Sequence, residues 1–179
     1  VSVNGEVAHQ GQRISFGDRI TLDGKAVRYR IAPPPARVLA YHKPVGEVVT
    51  HDDPQQRPTV FRRLPRLPQG KWQSVGRLDI NTEGLLLLTN DGGLARMLEL
   101  PTTGWLRRYR VRAFGKVKQE QLDALKNGVA VDGVFYGAVE ALIEREQGSN
   151  IWITIGLREG KNREVKNILG SLGLDVNRL

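Results

Sequence analysis

The sequence predicts an α+β protein built on a largely antiparallel sheet. Three observations carry that expectation. Strand-length apolar stretches follow one another with little helix between them, the arrangement in which neighbouring strands pair directly. The dipeptides Asn4-Gly5 and Asp23-Gly24 sit between alternating apolar residues, a hairpin signal. Only "GGLARMLEL", "KQEQLDALKNG" and "NREVKNILGSLG" carry helical character, and all three are short.

In chain order, residues 1–30 read as short strands and turns, with "VSVNGEV" and "GDRITLDGKAV" as two hairpins. Pro33, Pro34 and Pro35 in "IAPPPAR" continue neither sheet nor helix and mark a stiff spacer, the best domain boundary in the chain. "RVLAYHKP" predicts a strand over 37–44 running into a loop. Residues 45–71 are loop-rich, with Pro54, Pro58, Pro65 and Pro68. Leu85–Thr89 has apolar side chains at both parities and predicts a strand buried on both faces. "GGLARMLEL" predicts a short helix stopped by Pro101. In "WLRRYRVRAFG" the alternation puts Arg108, Arg110 and Arg112 on one face and Tyr109, Val111 and Ala113 on the other. The helix "KQEQLDALKNG" stops at Gly128. "FYGAVEALIERE" and "NIWITIGL" predict a strand pair. "NREVKNILGSLG" predicts an amphipathic helix with Val165, Ile168, Leu169 and Leu172 inward, and "LDVNRL" opens a last strand.

The charge balance narrows the function. Lys and Arg total 27 against 19 Asp and Glu, and from Val27 to Lys71 there are nine basic residues and three acidic ones. A pI near 10 on a 179-residue chain is the footprint of a protein that meets a polyanion, nucleic acid first. There is no cysteine, which excludes disulfides, thiolate zinc sites and cysteine nucleophiles and fits a reducing cytosol. No apolar run exceeds the four leucines Leu85–Leu88, far below the roughly 20 residues of a membrane span, and no signal-peptide pattern is present. The expectation is a cytoplasmic monomer without membrane association, since no surplus apolar helix face is visible. The chain starts at Val1 within one strand-like stretch and stops at Leu179 after another, which predicts a fragment of a longer protein.

The chemistry concentrates in "GRLDINTEGLLLLTNDG", residues 76–92, where Asp79 stands at the mouth of an apolar strand. It has three readings. As a turn residue, its side chain bonds nearby backbone N–H groups. As a calcium loop, "DINTEG" supplies oxygens at Asp79, Asn81 and Glu83, but Asn90 stands where the bidentate glutamate is needed, so this reading fails. As a nucleophile, the carboxylate must stay ionised beside an apolar pocket, and that requires a cation nearby. Arg77, Arg163 and Lys166 are available, as is Tyr109, but spacing alone does not bring them together. On the residues alone, turn and nucleophile both stay open.

Four stretches taken together resemble the pseudouridine synthases of the ribosomal, RsuA-like family, nearest its large-subunit (RluB-like) subgroup. "KPVGEVVTHDDPQQRPTVF" resembles the first motif and "GRLDINTEGLLLLTNDG" the catalytic motif; "RRYRVRAFG" resembles the tyrosine motif and "LREGKNREVKNIL" the third. Four motifs in order over residues 37–179 are specific where a lone G-R-L-D is not. The resemblance implies a mixed, mainly antiparallel sheet with a central catalytic cleft and few short helices. It also implies a division into a partial N-terminal RNA-binding module (1–32), a proline-rich linker (33–36) and a C-terminally incomplete catalytic domain (37–179).

By the same resemblance, Asp79 is the catalytic aspartate, Tyr109 the base-stacking tyrosine and candidate general base, and Lys166 the cation paired with the aspartate. Arg77 falls at the RNA-facing entrance. Arg62, Arg63, Arg66, Arg108, Arg110, Arg112, Lys161 and Arg163 are the candidates for RNA contacts. Two positions depart from the common pattern: Glu164 stands where many relatives have glutamine, and Lys166 replaces arginine, a point charge in place of a planar fork. The implied reaction detaches a uracil, turns it and rejoins it through carbon. It is an isomerisation that calls for no cofactor or metal, and no phosphate loop or dinucleotide fingerprint is visible. The implied partner is ribosomal RNA or an assembly intermediate, with large-subunit RNA ahead of small-subunit RNA. Two other classes stay in view, a non-catalytic RNA-binding or assembly protein and a metal-dependent nuclease; the latter needs carboxylates to join Asp79, and only Glu83 and Asp91 lie near it in sequence.

Overall fold

The computed structural model describes residues 1–15, 17–29 and 34–179. The chain divides into two compact units, Val1–Pro35 and Ala36–Leu179. In the first, β1 (Ser2–Val3), β2 (Glu6–Val7), β3 (Ile20–Leu22) and β4 (Lys25–Ala26) form one sheet in the order β2-β1-β3-β4. Its two tight turns are Asn4-Gly5 (φ 53° and 89°) and Asp23-Gly24 (φ 50° and 76°). Two successive left-handed residues match the right-handed twist of a hairpin, which is why Asn-Gly and Asp-Gly were readable signals. Of the proline run, Pro33 lies outside the described residues.

The second unit carries two larger sheets. One has the order β5-β7-β6, from β5 (Val38–Lys43), β6 (Gln73–Val75) and β7 (Gly84–Thr89). The other has the order β11-β12-β8-β13, from β8 (Arg107–Phe114), β11 (Val139–Gln147), β12 (Asn150–Leu157) and β13 (Asp175–Arg178). A separate hairpin, β9 (Val129–Val131) with β10 (Val134–Tyr136), turns on Asp132-Gly133, a third such dipeptide that the sequence reading passed over. Every ladder among the described residues is antiparallel; the parallel element is a single bridge, Val48 to Thr59. The two larger sheets are joined where Glu83 N donates to Leu179 O (3.0 Å) and Arg178 Nε pairs with Glu83 Oε1 (2.8 Å).

Three helices complete the unit: α1 (Gly92–Glu99), α2 (Gln119–Asp123) and α3 (Glu164–Ser171). Asp91 caps α1, its Oδ1 accepting from Gly93 N and Leu94 N, which satisfies two donors that a helix start leaves free. After α2 the chain tightens into a 3-10 turn over Ala124–Asn127 and leaves it at Gly128, where a Cβ would stand 2.6 Å from Phe135 Cζ and 2.7 Å from Tyr136 O. Glycine is needed there on space as well as on φ (80°).

The larger core takes the inward residues of β8 and β12 (Val111, Ala113, Ile151, Ile153, Ile155, Leu157) and closes them with Leu122, Val165, Ile168 and Leu169 from the helices. The smaller gathers Val60, Trp72, Leu86 and Leu88 under β5-β7-β6. The strand of leucines departs from expectation: it is not buried on both faces. Leu86 and Leu88 are buried, but Leu85 is 69% exposed, because the small core covers one face only and the other opens onto a hollow.

Candidate active site

Asp79 lies in the turn that joins β6 to β7. The turn closes by Thr82 N donating to Asp79 O (2.9 Å), and Gly46 N donates to Ile80 O (2.8 Å). What fixes this turn is Lys43, the last residue of β5 and fully buried. Its ammonium donates to Thr82 O (2.7 Å), Pro44 O (2.9 Å) and Ile80 O (3.4 Å). Burial pushes Lys43 below the usual lysine range, while the Glu47 and Asp79 carboxylates push it back up. The lysine therefore both staples the turn and faces Asp79 with positive charge.

Because Lys43 and the backbone hold the turn, the carboxylate is spared. Among the described residues the Asp79 side chain makes no hydrogen bond, whereas turn and cap aspartates elsewhere in the chain spend theirs: Asp91 on two backbone amides, Asp18 on Ser15 N, Asp53 on Arg57. The turn reading describes the backbone of Asp79 and leaves its side chain unexplained. That side chain lines a cleft of about 590 Å³.

The same cleft receives Tyr109 from β8 and the segment Gly160–Lys166 at the start of α3. Tyr109 shares the inward parity of Val111 and Ala113, so the alternation that buries the core also aims the phenol. Burial raises the phenol above its ordinary value; Arg107 opposes the rise, and Glu164 and Asp79 add to it. The phenol is neutral at physiological pH. Arg163 precedes α3 with φ 50°, a left-handed conformation that a side chain other than Asn, Asp or Gly adopts at a cost, and strain of that kind collects at functional segments.

Lys166 is half-buried on α3 and lines the cleft with Asp79, but no ion pair joins the two among the described residues. Across the turn, the Asp79 carboxylate acts on Lys43 and favours its charged form. Arg77 is exposed and lines both this cleft and a neighbouring hollow of about 760 Å³. Lys161 lines the cleft, with its ammonium held by Phe135 O and 3.5 Å from Glu159.

The outward arginines of β8 go elsewhere. Arg108 and Arg110 line the second hollow, which Asp79 itself does not line; Arg110 pairs with Glu144 (3.0 Å) and lies 4.7 Å over Trp152. Arg112 is half-buried and lines neither hollow, and Arg62, Arg63 and Arg66 are exposed around the 3-10 turn Val60–Arg63. Glu83 is tied to Arg178 and Asp91 caps α1, so neither carboxylate is available to join Asp79 around a cation.

Three residues were given no role in the sequence reading. Lys43 has the parity of Leu39 and Tyr41, the inward face of β5, and that phase was its only signal. Arg107 lies one residue before the outward triplet, in phase with Tyr109, and lines the cleft. Glu164, noted in the sequence as a departure from the common pattern, is 4% exposed and lines the cleft; a lone glutamate among the cations of "GKNREVK" was the signal available.

Comparison with known proteins decides the family. The RNA pseudouridylate synthase family profile matches residues 37–171. The chain belongs to that family. It is 48% identical to the ribosomal large subunit pseudouridine synthase B of Pseudomonas aeruginosa, over 100% of this chain and 47% of that protein. Its identity to the protein of the same name from Pasteurella multocida is 45%, over 100% of this chain and 53% of that one. The chain spans about half the length of the curated relatives it matches. Among solved structures, a pseudouridylate synthase superposes with a TM-score of 0.71 at 26% identity, covering 99% of this chain and 74% of the other. Human RNA pseudouridylate synthase domain containing 4 shares the fold at a TM-score of 0.56 and 14% identity, covering 78% of this chain and 63% of that one. Within the matched region fall Lys43 and all the residues that line the cleft except Leu179, Asp79, Tyr109 and the start of α3 among them.

Proposed function

We propose that this chain isomerises a uridine of ribosomal RNA, in the large subunit, to pseudouridine, with Asp79 as the nucleophile. The observation that carries the reading is the Asp79 carboxylate: it is exempt from the hydrogen bonding of its own turn and shares a cleft with Tyr109 and the cationic start of α3. The names of the large-subunit relatives support the choice of substrate.

The chemistry asks for three things. A nucleophilic oxygen needs positive charge in its surroundings, which Lys43 under the turn and Lys166 along the cleft supply. The freed base must be kept in place until it recombines, and a neutral Tyr109 ring backed by the larger core is a platform for that. A uridine within folded RNA must be turned out of its stack before it reaches Asp79, and Arg77 stands beside the aspartate where the vacated space would be filled. If Tyr109 also moves a proton, Arg107 favours the phenolate transiently formed. No step calls for a cofactor.

In the same reading, residues 1–32 are part of an RNA-binding module, residues 33–36 the linker and 37–179 the catalytic domain. Arg163, Lys161 and the exposed Arg62, Arg63 and Arg66 meet phosphates, and the protein works as a cytoplasmic monomer on ribosomal RNA or an assembly intermediate. No helix among the described residues is long and apolar enough to cross a membrane. The test is incubation with large- and small-subunit ribosomal RNA, followed by carbodiimide-dependent reverse-transcription stops. A stop on large-subunit RNA that Asp79→Asn removes is expected. RNA binding without any stop leaves the non-catalytic RNA-binding reading in its place.

A further inference from the structure

The segment that links β12 to α3 carries two glutamates whose carboxyls are in hydrogen-bonding contact with each other. Glu164 is 4% exposed. Its Oε2 accepts from Lys161 N (2.9 Å), while its Oε1 is buried and has no partner among the described residues that could donate to it. Glu159 accepts from Gly137 N through Oε1 (2.7 Å), with Lys161 Nζ 3.5 Å from its Oε2. Two ionised carboxylates in contact, one of them buried with an orphaned oxygen, would repel each other. A single proton between them removes the repulsion and gives the orphaned oxygen its bond.

We propose that Glu159 and Glu164 share one proton, and that this acid–carboxylate bond is the positioning element that holds Arg163 and Lys166 at the cleft. The proton resides on Glu164. Burial, and then the Glu159 carboxylate, push Glu164 up to about 7. Burial also pulls Glu159 upward, but the Gly137 amide, the Glu164 proton and Lys161 outweigh it and leave it low.

The groups that face the pair come from several elements. Lys161, Arg163 and Lys166 lie on its own segment; Tyr136 is on β10, with Lys161 Nζ 5.8 Å from its ring; Tyr109 and Arg107 are on β8. The Arg107 guanidinium carbon stands 3.6 Å from where a Cβ on Gly160 would be, so the segment is close against β8 as well as β10. Asn167 Nδ2 donates to Tyr136 Oη (2.9 Å) and to Asn162 O (3.3 Å), extending the same anchorage into α3.

The sign follows from linkage. Glu164 titrates at about 7 when folded against 4.5 as its ordinary value, so the folded chain holds a proton that the unfolded chain releases between those values. Stability falls as pH rises through that window. In the test, urea unfolding of the 179-residue chain is followed from pH 5 to pH 8, alongside pseudouridine formation at the same pH values. The urea midpoint of the wild type is expected to fall by about 1 M more than that of Glu164→Gln, whose amide donates to Glu159 at every pH.

Glu164→Leu loses the bond outright, and rescue by Gln separates proton sharing from mere packing. The wild-type rate is expected to decline above pH 7 at least threefold relative to Glu164→Gln. Equal pH slopes in wild type and Glu164→Gln overturn the proposal, as does a Leu variant that matches Gln in both readouts. The positioning role rests on the activity proposed above, but the unfolding slope does not. No pseudouridine in any variant with the slope difference intact would count against the activity and leave the proton-sharing pair standing.

Discussion

Replacing Lys43 by methionine tests how the turn at Asp79 is held. Methionine keeps most of the volume of a side chain that is fully buried, so the change removes an ammonium and leaves little cavity. Two carbonyls, Thr82 O at 2.7 Å and Pro44 O at 2.9 Å, lose a charged donor, and Ile80 O at 3.4 Å loses a weaker one. A hydrogen bond to a charged group contributes about 1.5–3 kcal/mol, so the gross loss is roughly 3–6 kcal/mol. Relief from burying the ammonium, whose effective penalty is several kcal/mol, offsets part of that. A net destabilisation of about 2–4 kcal/mol is expected. At about 2–4 °C per kcal/mol for a chain of this size, the midpoint of thermal unfolding falls by roughly 4–16 °C.

The assay is urea denaturation with the m-value held as a control, since a changed m would mean a changed unfolded or folded ensemble instead of a lost interaction. Turnover is measured on the folded variant. With the staple gone, the spared carboxylate is free to bond the amides of its own turn, and kcat is expected to fall at least 100-fold while RNA affinity stays within a few-fold. A variant that loses less than about 0.5 kcal/mol, or that turns over at the wild-type rate, refutes the claim that this lysine organises the site.

The remaining expectations are shorter. Asp79→Asn lowers turnover by about 10³-fold or more with RNA affinity retained; full activity ends the nucleophile assignment. Arg107→Gln removes a charge that lowers the Tyr109 phenol, so the tyrosine titration, followed by ultraviolet difference absorbance, moves further up; a downward shift contradicts the geometry. Tyr41 is pushed up to about 12 by burial and by its hydrogen bond to Glu47. The folded chain therefore keeps a proton that the unfolded one loses above pH 10, stability falls as pH rises from 10 toward 12, and Tyr41→Phe flattens that decline. RNA affinity weakens steeply with salt, and Arg62, Arg63 and Arg66 changed together to glutamine reduce the log–log slope by about 2–3, as loss of three phosphate contacts requires.

Period-two alternation carried most of the legible fold. It placed Tyr109 with Val111 and Ala113, paired β11 with β12, and separated the outward arginines from the core. Dipeptides that demand left-handed backbone gave the hairpins of the first unit. What alternation could not say is which sheet face is covered. Leu85 reads like Leu86, yet one is open and the other closed, because only the smaller core lies beneath β7. The arginines of β8 share the face that alternation gave them, and Arg108 and Arg110 line a hollow that borders the cleft and shares Arg77, Arg107 and Tyr109 with it. Position 43 was the least legible. A lysine in a basic stretch reads as solvated, and only its phase with Leu39 and Tyr41 says otherwise.

The division of labour around Asp79 explains how its carboxylate comes to be free in the cleft. An aspartate in a turn normally satisfies backbone amides, and that use would quench it as a nucleophile. Here the backbone closes its own turn through Thr82, and Lys43 gathers the leftover carbonyls. The carboxylate remains near a cation that is itself committed to those carbonyls. A second positive charge, Lys166, approaches from α3 without forming a direct pair with it. A closed ion pair would hold the carboxylate where it is; charge at a remove leaves it free to reach a sugar or base. On this view, moving the α3 cation closer, as in Lys166→Arg with its longer fork, should slow turnover if the longer side chain closes onto Asp79. The same substitution should leave the rate near wild type if the charge stays at a distance, and a structure of the variant distinguishes the two geometries. A guanidinium introduced at position 166 that closes onto Asp79 while turnover is undiminished is the result this account cannot accommodate.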